Sequence, residues 1–161
     1  MKKLGLVLLS LLLAAPASAA TTPNSVVTAQ TPNRGIAQFL QGTDTAGTYK
    51  TVYTAGTNGS KIVGLYMTNN DGSATHLVTC QVVNSAVKYG GVSLTTVSSA
   101  GYATATPAQN LLASSNWAGP PLDSDGNPYI YMVSGDTLQC TYATALTSSD
   151  FINVYVVAAD F

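Results

Sequence analysis

Two regimes of hydrophobic patterning divide the chain. Residues 4–13 form an apolar run behind Lys2 and Lys3, and the small residues Ala17-Ser18-Ala19 follow closely. A positive start, a short apolar core and a small-residue cleavage site together predict a secretory signal peptide over residues 1–20. The run falls short of the about 18 residues that cross a bilayer as a helix, and no later stretch reaches that length. Residues 21–34 place Pro23 and Pro32 around the strand-capable piece Val26-Val27-Thr28, which predicts a flexible N-terminal arm. Beyond it, short β-branched and aromatic runs recur with turn residues between them. Strands are predicted near 36–40, 49–55, 61–68, 75–83, 86–94, 101–106, 129–134, 137–143 and 151–159, the rhythm of a sandwich or barrel.

The turns are chemically explicit. Asn58-Gly59, Asp71-Gly72 and Gly135-Asp136 each offer positive φ or a side-chain-to-backbone bond between two strands. Asn58-Gly59-Ser60 also matches a glycosylation pattern, but the same residues make the turn. Several strands alternate in the manner of a sheet with one face inward. Ile62, Gly64, Tyr66 and Thr68 are expected to oppose Val63, Leu65 and Met67, and Leu138, Cys140 and Tyr142 to oppose Thr137, Gln139 and Thr141. The last strand is different. Ile152, Val154, Val156 and Ala158 face one way and Phe151, Tyr155, Val157 and Ala159 the other, so both faces are apolar. That suits a strand buried in a sandwich better than a membrane barrel strand, which alternates lipid-facing and lumen-facing residues. Residues 108–127 lack alternation and are expected to cross between sheets as a contact loop.

Composition narrows the picture. The whole chain has a formal charge of −1, and only 8% of its 161 residues are charged. Without residues 1–20, four basic residues (Arg34, Lys50, Lys61, Lys88) stand against seven acidic ones, all Asp, a formal charge of −3. Nucleic acid is therefore not an expected partner, because phosphate binding needs clustered Lys and Arg. The absence of Glu removes a strong helix former. These features predict an exported, single-domain, all-β protein.

Few residues suggest chemistry. His76 is the one histidine, and a hydrolytic triad would need it beside an activated Ser and an Asp. No Gly-x-Ser-x-Gly elbow is present, so His76 reads as a strand residue on a solvated face. Asp123, Asp125 and Asn127 occupy the first, third and fifth positions of a calcium-type loop. Pro128 and Ser134 stand where that loop needs Gly and a bidentate Glu, so a turn explains the same residues. No metal, cofactor or catalytic group is expected. Cys80 and Cys140 are the only cysteines. Export permits a disulfide closing a loop of about 60 residues and contributing about 4 kcal/mol, while two buried thiols fit the sequence as well.

Tyr49-Lys50-Thr51-Val52-Tyr53-Thr54-Ala55-Gly56, a turn, and Lys61-Ile62-Val63-Gly64-Leu65 running on to Thr68-Asn69-Asn70 resemble the opening of small β-sandwich modules of tailed-phage virion proteins. Tyr129-Ile130-Tyr131-Met132-Val133-Ser134-Gly135-Asp136-Thr137-Leu138, with the closing strand, resembles the end of the same module. The resemblance covers residues 35–161 and implies a non-enzymatic head-decoration, head-fibre or tail-fibre role. The expected fold is a single jelly-roll-like antiparallel β-sandwich of about eight strands. Copies of itself, or a capsid or surface lattice, are the expected partners, with Leu111, Leu112, Trp117, Tyr129 and Tyr131 as contact candidates because aromatic and large apolar anchors dominate interfaces. Two other readings remain. A secreted carbohydrate-binding module would use polar loops 69–73 and 123–127 with exposed aromatics, and a pilus subunit would donate its N-terminal arm as a strand.

Overall fold

In the computed structural model, residues 31–96, 107–113, 116–117, 120–147 and 150–161 are described. The predicted signal peptide, residues 21–30 of the arm and the strand expected at 101–106 lie outside them. Among the described residues the regular structure is all β: β1 (Thr31–Leu40), β2 (Lys50–Thr54), β3 (Ser60–Asn69), β4 (Leu77–Asn84), β5 (Val87–Thr95), β6 (Gln109–Asn110), β7 (Ile130–Met132), β8 (Asp136–Tyr142) and β9 (Phe151–Asp160). β1 starts at Thr31, ahead of the expected domain start at residue 35, and pairs antiparallel with β9 along its whole length.

The strands form two antiparallel sheets. Sheet A has the order β1-β9-β3-β6, with β7 also on β3, and sheet B the order β2-β8-β4-β5. Early strands pair with late ones, and the pairs alternate between sheets: β1 with β9 in A, β2 with β8 in B, β3 with β7 in A, β4 with β5 in B. A long hairpin wound in this way is a jelly roll, so the fold expected from the sequence is the fold observed.

The alternating residues build the core. Ile62, Leu65 and Met67 of β3 and Ile152, Val154, Val156 and Ala158 of β9 face Val78, Cys80 and Val82 of β4 and Leu138, Cys140 and Tyr142 of β8, all essentially inaccessible. The regular alternation expected for β3 is broken. The register of β3 on β9 shifts between Ile62 and Gly64, which leaves Val63 as the extra residue of a bulge. Ile62 therefore joins Leu65 and Met67 inside, while Val63 is exposed. At the sheet corner Gly35 admits the backbone of β2: a Cβ there would stand 2.1 Å from the Val52 carbonyl oxygen.

Cys80 and Cys140 are directly opposed partners on β4 and β8, and they form a disulfide. Their Cα atoms are 4.1 Å apart, close to the spacing of a non-hydrogen-bonded antiparallel pair, and both side chains are fully buried. The pairing that the sequence left open is settled by strand register.

Candidate functional site

The outer face of sheet A departs most from what a solvated sheet should look like. One face of an antiparallel sheet normally packs on the core and the other carries polar residues. Here the rows across β1, β9 and β3 read Ile36–Tyr155–Tyr66 and Arg34–Val157–Gly64. Ile36 is 70% exposed, and Leu40, Val63, Val157 and Tyr131 are also exposed on this side. The Tyr66 and Tyr155 rings stack with centroids 5.2 Å apart, and Tyr131 stacks on Phe161 at 5.1 Å. Tyr66 lies over Gly64, where a Cβ would come within 2.6 Å of its ring. A shallow groove of about 560 Å³ runs between Arg34–Ile36 and Tyr155–Val157.

The outer residues of β9 are thus half-buried or exposed, whereas the sequence pattern suggested a strand covered on both sides. Their two-sided apolarity was the available signal. In an antiparallel sandwich one layer of core covers one face only, so among the described residues the second apolar face is left without a covering layer.

The contact candidates divide. Leu111, Leu112 and Trp117 are buried in the chain's own core at 0, 1 and 8% exposure, and of the three only Trp117 also borders a surface cleft. Loop residues reach the core because Leu111 N donates to the Leu65 carbonyl at 2.8 Å and Trp117 bridges Val92. Tyr131 is exposed, and Tyr129 is half-buried beneath the Lys61 ammonium, 4.5 Å from its ring centre.

His76 is corrected most sharply. It precedes β4 and is 1% exposed, not on a solvated face. Its Nε2 meets Asp71 Oδ2 at 2.9 Å, and its Nδ1 lies 3.1 Å from the Thr144 carbonyl and 3.0 Å from the Thr144 hydroxyl. Asp71 Oδ1 accepts from the Ser73 amide, the Ser73 hydroxyl and the Ala74 amide, and Oδ2 from the Thr147 amide. Burial alone would raise the Asp71 carboxyl, but the donors from His76, Ser73 and Thr147 outweigh it and hold the group well below the usual carboxylate range. Ser73 thus sits on the carboxylate and not on the imidazole, the reverse of what nucleophile activation requires. The cluster ties the β3–β4 loop to the segment between β8 and β9. Sequence could not bring these residues together, because Asp71 and Thr147 are joined only by the fold.

Asp123 caps a turn. Its Oδ1 accepts from the Asp125 amide at 3.0 Å and the Asn127 amide at 2.8 Å, and its backbone N–H reaches the Asn127 carbonyl. The Asn127 and Asp125 amides hold its carboxyl below the usual range. Amide donors around the oxygen are turn chemistry; among the described residues no group of three His, Cys, Asp or Glu is placed to hold a metal ion.

No protein-family model matches the chain, and no curated protein does. One solved structure, described as a cyanophage Pam1 capsid asymmetric unit, aligns over 81% of this chain and 84% of its own, at 15% identity and a TM-score of 0.34. A likeness at that level carries no argument about role.

Proposed function

We propose that this chain is a non-enzymatic structural and display protein, a jelly-roll sandwich that acts by self-association at the surface of a phage particle or of the cell that exports it. The observation that carries the reading is the outer face of sheet A. Contiguous apolar surface of this kind marks interaction sites. A second copy of the same chain fits it: the only cation in the two central rows is Arg34, and a charge-poor face is better matched by its like than by a charged partner. No cofactor is needed for such a role.

Light scattering across a range of concentrations tests the proposal. The disulfide-intact chain is expected to be oligomeric, and Ile36→Asp and Val157→Asp, each on an exposed position, to yield monomers that melt within a few degrees of the parent. A monomer at every concentration, or an oligomer indifferent to both substitutions, overturns the reading.

A further inference from the structure

Sheet B opens at its β5 edge onto a cleft that shares only Tyr131 with the outer face of sheet A described above. Gln81 of β4 pairs with Gly91 of β5 and Val82 with Tyr89, which leaves Gly90 as an extra residue. Its φ of 70° is the left-handed conformation that glycine adopts without penalty. Bulges of this kind re-aim the side chains beside them. Tyr89 and Val92 are three residues apart and would lie on opposite faces of a regular strand. With the bulge, both stand opposite inward-facing residues, Val82 and Cys80. Val92 fills the core, whereas Tyr89, nearer the hairpin, stays 40% exposed and becomes one wall of an opening between the sheets.

The other walls come from the far side of the fold. Trp117 lies across Gly90, where a Cβ would stand 3.1 Å from the indole, so the bulge glycine also makes room for the ring. Tyr129 and Tyr131 flank the opening from the β7 side with ring centres 6.1 Å apart and planes at 65°. Pro121 completes it, held by the Tyr129 amide at 3.0 Å. The open cleft holds about 210 Å³.

The chemistry of these walls selects a ligand class. Tyr and Trp each present an apolar ring and a polar handle, which suits a molecule with an apolar face and a hydroxyl-bearing edge. Burial and a hydrogen bond to the Asp136 carboxylate push the Tyr89 phenol up to about 12, so its hydroxyl is held by Asp136 and the ring is what Tyr89 presents to a ligand. Lys61, over Tyr129, lies 4.0 Å from Asp123, and its charge is matched inside the protein instead of being offered to an anion. The space is smaller than the roughly 300–1,000 Å³ of drug-sized pockets, and it fits one ring of a longer chain. We propose that this cleft is a subsite for one uncharged pyranose unit of a polysaccharide, seated between Tyr89 and Tyr131 with Trp117 as its floor. Tyr131 also lies on the outer face of sheet A, so Tyr89→Ala is the variant that reads the cleft apart from self-association.

Trp117 is the chain's only tryptophan, so its emission reports on the cleft directly. The disulfide-intact protein would be titrated with soluble hexasaccharides of β-1,4-glucose, α-1,4-glucose, N-acetylglucosamine, mannose and galactose. At least one is expected to shift the Trp117 emission saturably. Tyr89→Ala and Tyr131→Ala should each weaken that binding about tenfold, the loss of one aromatic wall, while melting within a few degrees of the parent. No saturable shift with any of the five overturns the proposal, as does a shift that survives both substitutions. A shift that follows protein concentration without sugar assigns the cleft to a second copy and overturns it equally.

Discussion

His76 and Asp71 are joined by a 2.9 Å hydrogen bond with both side chains sealed from solvent, at 1 and 0% exposure. The depressed Asp71 carboxyl is ionised and can only accept, so His76 Nε2 is the donor. On the other nitrogen the imidazole meets a carbonyl and a hydroxyl from one residue, Thr144, which lets either the neutral or the charged ring be satisfied. The pair closes one end of the sandwich, and breaking it is expected to expose how much that end contributes.

Asp71→Ala leaves His76 and several loop amides without an acceptor. Removing one partner of a buried pair costs about 3–5 kcal/mol, and the loss is expected at the low end of that range because solvent can reach the loop once it loosens. Chemical denaturation at neutral pH, with the disulfide intact, reads it as a lower midpoint. Asp125→Ala, in an exposed turn, should move the midpoint by less than about 0.5 kcal/mol.

Acid should unfold the protein through its aspartates. Asp71, Asp44 and Asp160 are all held below their ordinary values: Asp71 by donors that outweigh burial, Asp44 likewise by Lys50 and the Leu40 amide, and Asp160 first by Ser60 and then by Tyr53. A depressed folded pKa means that the unfolded chain takes up protons first. The contribution is then complete above the unfolded value of about 4 and is lost as pH falls below it. Thermal melts from pH 7 to pH 2 should fall mainly below pH 4, and Asp71→Asn should flatten that fall.

The disulfide is expected to be hard to reach and costly to lose. Both sulfurs are fully buried, so a mild reductant should leave the native protein unlabelled by thiol reagents until denaturant is added. Replacing both cysteines by Ala should lower stability by about 4 kcal/mol on the chain-entropy estimate for a loop of this length. Equal midpoints for the parent and the double variant would refute this.

Leu111→Ala and Ile36→Ala separate core from surface. Leu111 is wholly enclosed and should cost about 3 kcal/mol through lost contacts and the cavity left behind. Ile36 is largely exposed and should cost less than about 0.5 kcal/mol in the monomer, so any effect of its truncation should appear in assembly instead.

Gly35→Ala should be among the most damaging small substitutions. The added methyl would meet the Val52 carbonyl at 2.1 Å, and backbone on both sides cannot step aside, so a loss of about 3 kcal/mol is expected. Gly126→Ala meets nothing within 4 Å and strains only its φ of 82°, at about 1 kcal/mol. Paired melts of the two variants test the ranking.

Local rules made the strands and turns legible. Period-two alternation placed Leu138, Cys140 and Tyr142 on one face, and Asn58-Gly59 and Gly135 marked turns in which both glycines take positive φ, because side-chain parity and backbone sterics act over a few residues. Bulges escaped that reading. Val63 and Gly90 each insert one residue against a partner strand, and parity on either side then depends on a strand distant in sequence. The same holds for the burial of His76, for the recruitment of Leu111 and Leu112 into the core, and for the choice between a disulfide and two thiols. Each is decided by which chain segments the rolled hairpin sets opposite one another. The second apolar face of β9 was written in the sequence, but only the tertiary structure, by setting the described core against Ile152, Val154, Val156 and Ala158 and leaving Val157 exposed, made it a surface.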